Sequence, residues 1–154
     1  MKGKPEVIEV LAKMLKEELG AISQYFIHAE MCENWGYEKL SEHTKKTSIK
    51  EMQHAEKLIE RILFLEGTPN LNDLPKLAVG KDAKSQFQND SALEKDAVAE
   101  YNAAIATCRK VGDYASAEML QVILAEEEEH VEFLEDQLGL MESVGIQNYL
   151  AQQM

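Results

Sequence analysis

The chain has 154 residues, 45% of them hydrophobic and 29% charged, which is ample apolar content for one folded core. Its 28 acidic and 16 basic side chains leave a formal net charge of −12, with no basic cluster anywhere along the chain. That balance excludes nucleic acid and anionic membrane as partners and favours cations.

Two cysteines, Cys32 and Cys108, are too few for a disulfide framework or a thiolate cluster. Met1-Lys2-Gly3-Lys4-Pro5 leads straight into an amphipathic pattern, with no apolar leader and no run of transmembrane length. A cytosolic (cytoplasmic) chain with a single domain over 1–154 is expected.

Only 3 prolines and 8 glycines are present, with long stretches free of both, so long helices are expected. The first helix starts at Pro5, a residue suited to a first helical turn, and runs to Asn34-Trp35-Gly36. Its inward stripe reads Leu11, Leu15, Glu18, Ile22, Tyr25, Ala29, in steps of four and three, the spacing of a bundle seam. The second helix spans about Glu38 to Glu66 and carries Glu51, His54, Leu58, Ile62 and Leu65 on its seam. Gly67 to Asp82 is then a loop of 16 residues, long enough at about 3.3 Å per residue to run the length of a bundle. The third helix, about Ala83 to Val111, has the seam Phe87, Glu94, Val98, Tyr101, Ile105, Cys108. A tight break at Gly112-Asp113 leads to a fourth helix, about Tyr114 to Leu138, with Leu120, Ile123, Glu127, His130 and Leu134 inward. A short fifth segment follows Gly139 and Gly145, over Ile146 to Gln152. The predicted fold is all-α: a four-helix bundle with one long crossover and a short C-terminal helix.

Two Glu-x-x-His motifs, Glu51-x-x-His54 and Glu127-x-x-His130, lie 76 positions apart, and so do Glu18 and Glu94, and Tyr25 and Tyr101. All eight residues fall on seams of the four helices. A lone Glu or His on a seam is usually a frayed position or a hydrogen-bonded core residue. Four carboxylates meeting in one core would instead repel one another and carry a heavy desolvation cost, so something must neutralise them. Two divalent cations balance four carboxylates, and two neutral imidazoles complete the shell. Glu18, Glu51, His54, Glu94, Glu127 and His130 are therefore the expected ligands of a two-metal catalytic site, with the ions about 3.5–4 Å apart. Oxygen and nitrogen donors without thiolate favour iron or manganese, with zinc a weaker fit.

Tyr25 and Tyr101 are placed to hydrogen-bond ligand carboxylates, with bundle packing an equal reading for Tyr101. Glu126, Glu128 and Glu129 fall off the seam and read as a solvated acidic face, His28 and His43 as surface histidines, and Cys108 as a small core residue. Met52 points about 100° from the seam. With Ile49, Ile59, Leu19 and Phe26 it forms a second apolar stripe, whose ordinary meaning is an interface with another chain.

These residues together resemble the bacterioferritin family over essentially the whole chain. The resemblance rests on Met1-Lys2-Gly3, Gln24-Tyr25-Phe26, Glu51-Met52-x-His54-Ala55, Glu60-Arg61-Ile62-Leu63-Phe64-Leu65-Glu66-Gly67, Glu127-x-x-His130 and Asn148-Tyr149-Leu150. It implies a ferritin-like bundle, a 24-subunit homo-oligomeric shell, and a ferroxidase that oxidises Fe2+ with O2 or H2O2 and stores a ferric mineral. It also implies that the six ligands form a di-iron centre. The residue matching Met52, with its twin from a symmetry-related subunit, would ligate haem b, and a ferredoxin would supply electrons for iron release. Some members carry His and Asp at positions 46 and 50, holding an extra iron. Lys46 and Lys50 here would repel Fe2+, so that site is not expected. Lys45 and Gln53 also depart from the family's usual residues beside the haem. Two other readings share part of the pattern. A rubrerythrin-like di-iron peroxidase would need a Cys-x-x-Cys pair that this chain lacks, and a non-catalytic haem-carrying subunit of a mixed cage would not need the intact ligand set.

Overall fold

A computed structural model describes residues 1–154. It consists of α1 (Pro5–Asn34), α2 (Glu38–Phe64), α3 (Ala83–Lys110), α4 (Tyr114–Val144) and α5 (Ile146–Ala151), with no strand. This is the all-helical bundle that the seams predict. α1 packs most extensively on α2 and α3 on α4, so the bundle is two helical hairpins joined by the crossover. No helix is long and apolar enough to cross a membrane.

Both hairpins turn in the same way. Gly36 and Gly112 take φ values of 85° and 80°, a region costly for residues with a Cβ, and each follows the end of a long helix. Behind them the amide of Tyr37 donates to Cys32 O and that of Asp113 to Cys108 O, both at 2.9 Å. The 76-residue offset thus extends beyond the seam polar residues to the turns themselves. Asp113 also caps α4 by accepting from the Ser116 amide, and Asp82 opens α3 in a capping box with Ser85.

The main core joins Leu11, Met14, Leu15, Leu58, Ile62, Tyr101, Leu120 and Ile123 at one end of the bundle. A second, smaller cluster holds Cys32, Leu40, Phe87, Leu134, Met141 and Tyr149 at the other. Between them lies the polar middle.

α4 runs past Leu138 to Val144, six residues beyond its expected end. A helix-interior glycine costs only about 1 kcal/mol, and Leu134 and Met141, one heptad apart and both buried, hold the helix together across Gly139. Gly145, at φ 82°, is the actual stop.

His28 is fully buried, which overturns its reading as a surface residue. Its Nδ1 meets Asp90 at 2.9 Å, and its Nε2 accepts from the Gly80 amide at 2.9 Å. Gln24 completes the clamp, donating to Asp90 at 2.8 Å and accepting from the Ala78 amide at 3.1 Å. These contacts lash the end of the crossover to α1 and α3. At its middle the crossover passes so close to α1 that a Cβ on Gly20 would lie 2.3 Å from Pro75 Cγ.

Candidate metal centre

Glu18 from α1, Glu51 and His54 from α2, Glu94 from α3, and Glu127 and His130 from α4 converge in the polar middle. They form two overlapping groups: Glu18, Glu51, His54 and Glu127, and Glu51, Glu94, Glu127 and His130, each with ligand atoms within 4.8 Å of one another. The Glu-x-x-His spacing does this locally, because residues three apart share a helix face. Glu51 and Glu127 belong to both groups. Glu18 with His54, and Glu94 with His130, complete the two sides.

The contacts cross between the hairpins. His54 Nδ1 lies 2.8 Å from Glu127 Oε1, and His130 Nδ1 lies 2.8 Å from Glu51 Oε1. Tyr25 of the first hairpin donates its hydroxyl to Glu94 of the second, and Tyr101 donates to Glu18. For Tyr101, packing and hydrogen bonding therefore hold together. Burial, reinforced by the neighbouring Glu94 and Glu18 carboxylates respectively, raises both phenols well above their usual range, so both stay O–H donors.

Five buried side-chain polar atoms lack a hydrogen-bond partner: Glu18 Oε2, Glu51 Oε1, His54 Nδ1, Glu94 Oε2 and Glu127 Oε1. All five belong to the six-residue set. Close approach without hydrogen-bond geometry, as between His54 Nδ1 and Glu127 Oε1, is what donors aimed at a common ion display. The carboxylate and imidazole cluster fits a di-iron site.

Protons fill the same role when cations do not. Burial, then the charge of Glu51, pushes Glu18 well above the usual carboxylate range. Burial, then its hydrogen bond with Glu127, does the same to Glu94, while Glu127 is held far below that range: burial works against this, but Glu94, His130 and His54 beside it all favour its ionised form. Burial alone would lower both imidazoles, but the surrounding carboxylates, which favour a protonated ring, outweigh it, raising His54 strongly and His130 to about 12. Both histidines therefore hold protons near neutral pH that a bound cation must displace, and the raised carboxyls of Glu18 and Glu94 compete with it in the same direction. Calorimetric titration with a divalent ion in buffers of different ionisation enthalpy should show proton release on binding, with affinity rising as pH rises. Binding without proton release would contradict this charge state.

Glu126 corrects the sequence reading a second time. It is not on a solvated face: its Oε2 lies 2.6 Å from His54 Nε2 and 3.0 Å from Lys50 Nζ, with the side chain 22% exposed. Being next to a seam residue, it sits on the flank of α4 that faces α2, and a glutamate stem reaches across. Its position immediately before the second Glu-x-x-His motif, 76 residues from Lys50, was the available signal. Glu128, Glu129 and His43 are exposed as expected, though the His43 ring stacks on Phe133 at 3.7 Å, beside a cavity of about 210 Å³ that also borders Tyr25 and His130.

On the outer flank, Met52, Phe26 and Ile49 are each about half exposed, while Leu19 and Ile59 pack against the core. The second apolar stripe is therefore open at Met52, Phe26 and Ile49 and partly closed at Leu19 and Ile59.

An all-α bundle with paired Glu-x-x-His motifs around two adjoining donor groups is the design of a ferritin-like protein, and a family model described as the ferritin-like domain matches residues 8–144. The chain is 43% identical over 152 residues to Bacterioferritin BfrA of Mycobacterium tuberculosis, covering 99% of this chain and 96% of the relative. It is 44% identical over 149 residues to a bacterioferritin of Brucella melitensis (97% and 92% covered) and 46% identical over 155 residues to a bacterial ferritin of Synechocystis (100% and 99% covered). The chain belongs to the bacterioferritin family of ferritins.

Proposed function

We propose that this chain is the ferroxidase and iron-storage subunit of a homo-oligomeric, 24-subunit cytoplasmic shell. Membership of the family implies iron storage, self-assembly and Fe2+ as substrate. The observation that carries the catalytic reading is the confinement of every orphaned buried polar atom to six residues that share two carboxylates between two donor groups. In this reading Glu18, Glu51, His54, Glu94, Glu127 and His130 bind a pair of Fe2+ ions. Each ion gives up one electron, so a pair reduces one O2 to one H2O2, or one H2O2 to two H2O, with uptake of two protons in either case. The protein's part is to hold the carboxylates in register. Tyr25 and Tyr101 fix Glu94 and Glu18 by their hydroxyls, and the His28 clamp holds α1 and α3 at the right separation.

On the outer stripe, Met52 offers a half-exposed thioether among apolar neighbours, a setting that suits an apolar, iron-bearing macrocycle. Paired with Met52 of a second copy, it would hold haem b, which supplies one-electron transfer from a ferredoxin donor towards stored iron. The test is titration of the protein with Fe2+ in air. The fast oxidation phase should saturate at two Fe2+ per chain, on a particle of shell size by size exclusion. Saturation at one ion, or a small particle, would refute the proposal.

A further inference from the structure

We propose that Glu126, neutralised by Lys50, is a positioning residue that locks the His54 ring with Nδ1 towards the metal and makes the two metal positions unequal. This rests on the di-metal reading of the site and deepens it.

His54 is wholly buried and its two nitrogens face opposite ways. Nδ1 faces Glu127 at 2.8 Å, Glu51 at 3.5 Å and Glu18 at 3.6 Å. Nε2 faces Glu126 at 2.6 Å. A metal-binding imidazole is neutral and has one N–H. With Nδ1 committed to the ion, the hydrogen must sit on Nε2, where a carboxylate accepts it. Such an outer partner fixes the tautomer and ring angle and strengthens the donor nitrogen.

A fifth carboxylate beside four others would be costly on its own. Lys50, 3.0 Å from the same Glu126 oxygen, supplies the compensating charge, which leaves the four ligand carboxylates to be balanced by two cations. The pairing follows from the repeat. Lys50 and Glu126 are themselves 76 positions apart, each immediately preceding its Glu-x-x-His motif. The equivalent positions of the two hairpins have taken opposite charges and bonded to each other. His54 therefore gains an acceptor for its outer nitrogen. The residue equivalent to Glu126 on the His130 side is Lys50, which has only donors to offer, and every polar contact of His130 runs through Nδ1. The Glu18 and His54 position is the firmer of the two.

The experiment is titration of the assembled protein with Co2+, following its d–d absorption, for wild type, Glu126→Leu and Glu126→Gln, with helical content checked by circular dichroism. Wild type should bind two Co2+ per chain. Leucine removes the acceptor, so one of the two sites should weaken by about 10–100-fold while the other keeps its affinity. Glutamine keeps a carbonyl acceptor and should restore most of the loss. Two unchanged affinities in Glu126→Leu would overturn the proposal, as would a Glu126→Gln variant as impaired as the leucine. Should wild type itself fail to bind two Co2+, the di-metal reading falls instead.

Discussion

Replacing His130 with alanine is expected to abolish the fast phase of Fe2+ oxidation while leaving a folded, assembled protein. Alanine is the best helix former, so α4 loses nothing in local propensity. The imidazole is 16% exposed at the edge of the cluster rather than packed in the apolar core, so its removal opens little cavity. Chemically the change is severe. The Glu94 side of the site keeps only carboxylates, and the ion there loses its sole nitrogen donor. Loss of an outer partner alone typically costs 10–100-fold, so loss of the ligand should exceed roughly 100-fold in the fast-phase rate. Stopped-flow absorbance at two Fe2+ per chain measures this. An unaltered fast phase in His130→Ala would remove His130 from the ligand set.

Met52→Leu separates the outer face from the inner site. The substitution nearly conserves volume and apolarity, so packing between copies should change by under about 1.5 kcal/mol. Leucine has no lone pair to offer iron, and haem content, read from the pyridine haemochrome spectrum, should fall to near zero. Fe2+ oxidation should persist at wild-type rate, because Glu51 and His54 point inward from the same turn on which Met52 points outward. Full haem with an unchanged spectrum would make Met52 only an apolar interface residue and leave haem binding to other groups.

The six-residue cluster was legible in the sequence because a bundle seam is periodic. Glu18, Glu51, His54, Glu94, Glu127 and His130 each stand where an apolar residue belongs, and a carboxylate in such a slot needs a physical reason. The crossover was legible from length alone. Two features were not. His28 is one step off its seam, and a two-sided reading of a helix assigns such a residue to water. It is buried because the crossover forms a third wall, through Gly80 and Ala78, and where an irregular segment comes to rest is not encoded in helical period. Glu126 was missed for a related reason: among four consecutive glutamates only the backbone angle distinguishes one from another, and stem length lets a flanking side chain reach inward. The continuation of α4 past Gly139 shows a single glycine's modest cost being overridden by tertiary packing at Leu134 and Met141.

The crossing of contacts between the hairpins has a mechanical consequence. Neither α1–α2 nor α3–α4 contains a complete donor group for even one ion, since each group takes residues from both. Cations at this site would therefore act as rivets between two halves, adding to the Tyr25–Glu94, Tyr101–Glu18 and His28–Asp90 contacts that already link them. Prising the hairpins apart would then require releasing both ions, so metal loading would stiffen the bundle as a whole.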